Sequence, residues 1–264
     1  MRICILASGS KGNCTYIESE NSKILIDAGL SKKEIENRLS LIKVSPADID
    51  AILVTHEHSD HIKGLERFSN FYKCKVYGHR DSFSMIEEKC SLIPLSQQVE
   101  FCSNDFNIKD LTISPFDLDH DSSHCVGFSV MENGKKFTIA TDLGHMTPEI
   151  EKRLKTSDFI VLESNHDIQT LKNNPNYSYS LKQRILSKYG HISNDECSNT
   201  ILNLIGHKTR GIMLAHLSEQ NNSKELAINE INKKLIKNNI KAEDFNMYVG
   251  VATQNNVSNI FKIK

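Results

Sequence analysis

The sequence predicts an α/β (α+β) fold in which two mixed β-sheets pack face to face with helices outside, an αββα sandwich built as a single domain over residues 1–264. Short apolar runs alternate with helix-period segments through both halves of the chain. No Pro/Gly/Ser-rich linker or low-complexity tract separates the halves. With 39% hydrophobic and 25% charged residues, the chain can bury one substantial core, and disordered or collagen-like architectures are excluded.

The first quarter reads as antiparallel hairpins, with strands at Arg2–Leu6, Asn13–Glu18 and Lys23–Ile26 separated by turn residues. A helix follows at Lys32–Ile42, because Ile35, Leu39 and Ile42 share one face and Ser31 can cap it. Ala51–Val54 is a buried strand that runs into a histidine-rich loop. Helices are expected at Ile62–Tyr72 and Arg80–Glu88, with a strand at Lys75–Tyr77 between them. Strands dominate from Gln98 to Ala140, including a hairpin that turns at Asn133-Gly134. The second half continues with strands at Phe159–Leu162, Gly211–Leu214 and Asn246–Val249, and helices at Ser180–Ser187, Asn194–Leu204 and Ser223–Lys237.

The charge balance of 32 basic and 33 acidic side chains excludes a histone-like protein or an acidic tail. The apolar runs are short, such as Ala51–Val54 and Phe159–Leu162, and fall far short of the ~18 residues of a membrane span. The chain opens in a strand, without a long apolar leader segment, and a cytoplasmic location is expected. Seven scattered cysteines without a CxxC spacing are expected to be buried reduced thiols.

Eleven histidines stand out, and their grouping carries chemistry. Thr55-His56-Glu57-His58-Ser59-Asp60-His61 places three imidazoles and a carboxylate just past a buried strand. In an extended loop, residues i and i+2 point the same way, so His56 and His58 can grip one divalent ion while Asp60 and His61 swing toward a second. Further ligands must come from other strand ends. His120, Asp142 and His216 each follow a predicted strand, the position where open α/β folds gather their chemistry.

The ordered set Asp27, His56-x-His58-x-Asp60-His61, His120, Asp142 and His216 resembles the metallo-β-lactamase superfamily along nearly the whole chain. That resemblance implies His56, His58 and His120 on one metal ion, Asp60, His61 and His216 on a second, and Asp142 bridging them. It also implies that Asp27 orients a ligand. Two dications outweigh the two ligand carboxylates, so such a site would stay positive, hold a bridging hydroxide as nucleophile oriented by Asp60, and attract an anionic substrate. The ions could be Zn²⁺ or Mn²⁺, with Fe also compatible.

Leu162-Glu163-Ser164-Asn165-His166-Asp167 and Tyr189-Gly190-His191-Ile192-Ser193-Asn194 resemble motifs of ribonuclease Z-type nucleases, in which His191 would protonate the leaving oxygen and Glu163 would orient it. Together with Ala7-Ser8-Gly9-Ser10-Lys11-Gly12-Asn13 and Ala215-His216-Leu217-Ser218 followed by Asn221-Asn222, the wording is similar to the bacterial YycJ (WalJ) family. That family resemblance implies 5′-to-3′ exonuclease action with DNA as substrate and partner. One departure is Asp119 where Ser is expected before His120, which touches only the surroundings of the ligand. A thioester or lactone hydrolase of the glyoxalase II type and a non-catalytic metal-binding module are the alternatives. The Glu163/His191 pair, which a thioesterase does not need, argues against the first.

Ile168 to Asn194 contains no acid but holds Lys172, Lys182, Arg184 and Lys188 interleaved with Tyr177, Tyr179 and Tyr189, a composition able to grip phosphates and stack bases. His166, counted with the catalytic residues, either faces the metals or braces its loop. Gly9–Asn13 reads as a hairpin turn or a phosphate cradle. His79, His145 and His207 are expected at the surface or in turns, and His124 at the start of a strand.

Overall fold

The computed structural model describes residues 1–241 and 244–263. In chain order the elements are β1 (Arg2–Ala7), β2 (Cys14–Glu18), β3 (Lys23–Ile26), α1 (Lys32–Leu41), β4 (Ala51–Leu53), α2 (Ser59–Ile62), α3 (Leu65–Tyr72), β5 (Lys75–His79) and α4 (Arg80–Lys89). There follow β6 (Gln98–Phe101), β7 (Phe106–Ile108), β8 (Leu111–Leu118), β9 (Cys125–Glu132), β10 (Lys135–Ala140), α5 (Pro148–Lys155), β11 (Phe159–Glu163), α6 (Ile168–Asn173) and α7 (Tyr179–Ile185). The chain ends with α8 (Asn194–Asn203), β12 (Gly211–Ala215), α9 (Lys224–Lys237), β13 (Tyr248–Val251) and β14 (Phe261–Lys262).

Among the described residues the strands form two seven-stranded mixed sheets, ordered β14-β1-β2-β3-β4-β5-β6 and β13-β12-β11-β10-β9-β8-β7. Two compact units can be distinguished. The first comprises Met1–Asp117, Ser122–Lys135 and the segment from Ala252 onward, and the second Leu118–Asp121 with Lys136–Val251.

In the first unit, β1, β2 and β3 pair antiparallel, as the hairpin turns predict, and β3, β4, β5 and β6 then run parallel. The near-continuous burial of Ile24-Leu25-Ile26 and Ala51-Ile52-Leu53 is what a parallel strand covered on both faces requires. Ile35 and Leu39 of α1 are buried in the same core as Leu25, Ile52 and Phe68, and the Ser31 hydroxyl accepts from the Glu34 N–H at the helix start.

In the second unit, β10, β11, β12 and β13 pair parallel. Leu162 lies opposite both Ala140 and Leu214, so the carboxyl ends of three strands are aligned. The side chain of Ser193 caps α8 by accepting from the Glu196 N–H.

Some elements differ from the sequence expectation. The helix expected at Ile62–Tyr72 is two helices, because the chain breaks at Gly64, whose N–H donates to the Ala28 carbonyl at 2.8 Å. The strand expected at Asn246–Val249 lies at Tyr248–Val251, where its register is fixed by pairing Val249 with Ile212. Helices α5 and α6 are additional. Thr147-Pro148 and Asp167 were their start signals, since both caps accept from backbone N–H groups. Six cysteines are buried and Cys102 half-buried, all of them free thiols. Among the described residues no helix is long and apolar enough to cross a membrane.

Candidate metal centre

In the first unit a cluster of ligand-type side chains is built at the carboxyl ends of β3 and β4. Their parallel pairing sets Asp27 beside the end of β4, and the Asp27 N–H donates to the Leu53 carbonyl at 2.8 Å. Asp27 adopts a left-handed φ of 63°, a conformation that costs roughly 1–3 kcal/mol and is held by its surroundings. Its carboxylate accepts from the Thr55 N–H at 2.9 Å and from the Thr55 hydroxyl, and Oδ2 lies 2.8 Å from Nδ1 of His61. The His61 Nδ1–H therefore donates to Asp27, and Nε2 carries the lone pair, the arrangement by which carboxylates orient metal-ligating imidazoles.

His56 and His61 are fully buried, and the His56 ring lies 4.5 Å from that of His58 and 4.1 Å from that of His61. Only part of this segment is extended. His58 has extended backbone, whereas Asp60 and His61 sit on the short helix α2, so the i, i+2 argument holds as far as His58 and a helical turn then carries the next two side chains. The Gly9–Asn13 turn backs this loop. The Asn13 N–H donates to the Asp60 carbonyl at 2.8 Å, and Asn13 Nδ2 lies 3.1 Å from His61 Nε2 and 3.3 Å from Asp60 Oδ2.

Gly29 closes this arrangement. A Cβ there would lie 1.7 Å from the Asp60 carbonyl oxygen and 2.6 Å from the Asn13 nitrogen, both backbone atoms that cannot yield cheaply. Gly29→Ala is expected to cost about 3 kcal/mol and lower the melting temperature by roughly 10 °C. A thermal melt checks this, and an unchanged melt would show that the loop is not packed as described.

The second unit holds a cluster of its own at the aligned ends of β10, β11 and β12. Asp142 (φ 61°) and His216 (φ 54°) follow β10 and β12 in the same left-handed conformation as Asp27. Glu163, the last residue of β11, is completely buried. Its Oε1 lies 2.8 Å from Nδ1 of His216 and 2.9 Å from Nδ1 of His191. The backbone N–H groups of Ile192, Asp142 and Leu143 also donate to this carboxylate, at 3.1, 3.3 and 3.3 Å. Burial would raise the Glu163 carboxyl, but the His191 and His216 imidazoles outweigh it and hold it below the ordinary carboxylate range. Burial alone would depress His191, and Glu163 reverses that, so its pKa is raised.

Asp142, Glu163, His191 and His216 bring their ligand atoms within 4.8 Å of one another. His120 joins them, with Nδ1 3.2 Å from the Gly190 carbonyl and Nε2 3.8 Å from Asp142 Oδ1, and burial lowers its pKa. His166 is buried, with neither ring nitrogen hydrogen-bonded, and burial lowers its pKa to about 4, so the ring is neutral. Its carbonyl accepts from the Asn194 N–H.

Several anchoring residues were not singled out from sequence. Thr55 and Asn13 hold the cluster of the first unit. Asn165 donates to the His216 carbonyl at 2.9 Å, and Asn222 donates to the Ser164 carbonyl at 2.7 Å. Asn165 and Asn222 lie inside motifs that carried the family resemblance, which was the available signal. Glu163 was assigned to His191 alone, whereas it holds His216 equally.

The acid-free stretch forms α6 and α7 with their flanking loops. Tyr179 is 79% exposed and Tyr189 46%, with the Lys188 ammonium 4.7 Å from the Tyr189 ring centre. Two further cations of the stretch are also engaged: Arg184 pairs with Asp121, and the Lys182 ammonium donates to the Lys172 carbonyl.

Solved structures with this fold include the metallo-beta-lactamase fold protein YhfI from Bacillus subtilis, at TM-score 0.71 and 14% identity over 98% of this chain and 99% of that one. The short form of human tRNase Z aligns with TM-score 0.65 and 17% identity, again over 98% and 99%. The αββα sandwich expected from sequence is thus the fold adopted. Residues 22–209 match the family model described as beta-lactamase superfamily domain, and the chain belongs to this superfamily of metal-dependent hydrolases. Within it, the chain is 38% identical over 226 residues to exodeoxyribonuclease WalJ of Streptococcus pneumoniae, covering 84% of each. It is 36% identical over 228 residues to exodeoxyribonuclease YycJ of Bacillus anthracis, covering 86% of each. It is a member of their family.

Proposed function

We propose that the protein is a dinuclear metal-dependent phosphodiesterase that acts on DNA as a 5′-to-3′ exonuclease, as one metallo-β-lactamase domain in the cytoplasm. The observation that carries this reading is the sharing of one buried carboxylate, Glu163, by His216, a ligand-type histidine, and His191, one-fifth exposed. A site for ester hydrolysis alone has no use for the second imidazole. The names of the WalJ and YycJ relatives support the same substrate class.

The residues fit the ions the superfamily uses. Buried imidazoles at ring spacings of 4.1 and 4.5 Å suit a cation, and carboxylates pinning Nδ1 of His61 and His216 leave Nε2 as the ligating atom. His56, His58 and His120 would hold one ion, Asp60, His61 and His216 the other, with Asp142 shared and Asp27 orienting His61. Two ions of Zn²⁺, Mn²⁺ or Fe would supply an activated water and neutralise charge on the phosphodiester. Asp60 orients the attacking water. His191, whose pKa is raised by Glu163 against the effect of burial, delivers a proton to the departing oxygen. The neutral His166 braces the loop between them.

The test is hydrolysis of 5′-phosphorylated, end-labelled DNA and of RNA, alongside an acyl-glutathione, with metal content measured on the same sample. Stepwise shortening of DNA from the 5′ end is expected. Turnover of the thioester without any phosphodiester cleavage would overturn the reading, and inactivity toward all three with Mn²⁺ and with Zn²⁺ would favour a non-catalytic module.

A further inference from the structure

Asp27, Thr55, His56 and His61 are each at most 2% exposed, so their polar atoms have to be paired within the protein. His61 meets the Asp27 carboxylate directly, with Nδ1 2.8 Å from Oδ2. His56 meets a hydroxyl instead: its Nδ1 lies 3.1 Å from Thr55 Oγ1. That same oxygen lies 3.1 and 3.0 Å from the two carboxylate oxygens of Asp27. The Thr55 N–H also donates to Asp27 Oδ1, at 2.9 Å, so Thr55 is attached to the carboxylate at two points. Its β-branched side chain is stiff at χ1, which keeps the hydroxyl where the backbone puts it.

A hydroxyl has one proton to give, and charge decides where it goes. A carboxylate can only accept, and a hydrogen bond to it is about twice as strong as one between neutral groups. If the Thr55 hydroxyl donated to His56, its lone pairs would face both Asp27 oxygens with no proton between them. The hydroxyl therefore donates to Asp27, and its oxygen accepts from the Nδ1–H of His56. Protonation at Nδ1 puts the lone pair of His56 on Nε2, the same tautomer that direct contact with Asp27 gives His61. The Cys125 sulfur, 3.8 Å from the same Nδ1, competes poorly, because it is more distant and sulfur is a weak acceptor.

We infer that Thr55 is a positioning residue for metal binding: its hydroxyl relays the Asp27 carboxylate to His56, so that one buried acid sets the Nε2 lone pairs of both fully buried imidazoles of the HxHxDH loop. The inference rests on the ligand set proposed above. In the second unit Glu163 reaches His191 and His216 directly through one oxygen, whereas in the first Thr55 supplies the link to the second ring. A valine at position 55 keeps the shape of the side chain and loses the relay. The Nδ1–H of His56 then has no oxygen to donate to, and its two tautomers compete.

Equilibrium competition for Zn²⁺ between the full chain and a chromogenic chelator tests this in Thr55→Val, Thr55→Ser and Cys125→Ala. Thr55→Val is expected to bind roughly 10–100-fold more weakly, with Thr55→Ser and Cys125→Ala binding as wild type does. Wild-type affinity in Thr55→Val would overturn the relay, and so would a loss in Thr55→Ser as large as in Thr55→Val, or a loss in Cys125→Ala alone. Nitrogen-15 NMR of metal-free, histidine-labelled protein at mildly alkaline pH reads the tautomers themselves, which a change of packing alone would not move. His56 and His61 should both carry the proton on Nδ1 in wild type, and His56 alone should become mixed in Thr55→Val. Should Thr55→Val fail to fold, the wild-type spectrum decides, and a proton on Nε2 of His56 there would overturn the inference. Neither measurement involves DNA, so failure of the exonuclease reading would leave these outcomes as they stand.

Discussion

His58→Ala is expected to abolish phosphodiester hydrolysis and to leave the protein depleted of metal at the HxHxDH loop. His58 is the half-buried member of the imidazole trio, its ring edge-on to that of the fully buried His56. It ends the extended part of the loop and starts α2, which carries Asp60 and His61, so on the proposed reading its side chain would contribute a ligand while its backbone places the other two. The alanine variant should therefore fold. Activity on end-labelled DNA and metal content by mass spectrometry check this together. Full activity in metal-depleted His58→Ala protein would refute metal-dependent catalysis at this loop.

The next largest effect is expected from Glu163→Gln, a change of one atom. Five donors converge on this carboxylate: Nδ1 of His191 and His216 and the N–H groups of Asp142, Leu143 and Ile192. An amide offers one acceptor oxygen, and its NH₂ must face donors in either orientation. Metal affinity should fall roughly 10–100-fold through the loosened His216. kcat should fall further through His191, whose own alanine variant is expected to lose ~10²–10⁴-fold in kcat with metal content preserved. Wild-type affinity and kcat in Glu163→Gln would show that this carboxylate only fills space.

In metal-free protein the same cluster makes stability depend on pH. The raised pKa of His191 contributes stability that is fully present below about 6.5, the unfolded value, and is lost as pH rises through the folded value. The depressed pKa of Glu163 contributes above about 4.3 and is lost as pH falls. The melting-temperature gap between wild type and Glu163→Gln, measured in chelator, should thus be larger near pH 5.5 than near pH 8. A gap independent of pH would mean that the imidazoles are not paired with this carboxylate.

Much of the site was legible in the sequence because its pieces are local. The HxHxDH loop is contiguous, and Asp27, Asp142 and His216 each stand directly after a strand recognisable from its apolar run. Parallel pairing with aligned carboxyl ends then brings Glu163 beside Ala215 without further information. The helix starts at Ser31 and Ser193 were equally readable, since a cap acts within a few residues of itself.

What only the tertiary structure decided is which carboxylate holds which imidazole. Asp27 belongs to His61 and Glu163 to both His191 and His216, and these bonds set the tautomers on which ligation depends. The left-handed backbone of Asp27, Asp142 and His216 and the fit of Gly29 against the Asp60 carbonyl belong to the same group. Each joins or strains residues far apart in the chain through a single short-range contact. Such a contact leaves no periodicity in the sequence, whereas burial of a strand or a helix face repeats every second or every third to fourth residue and can be read directly.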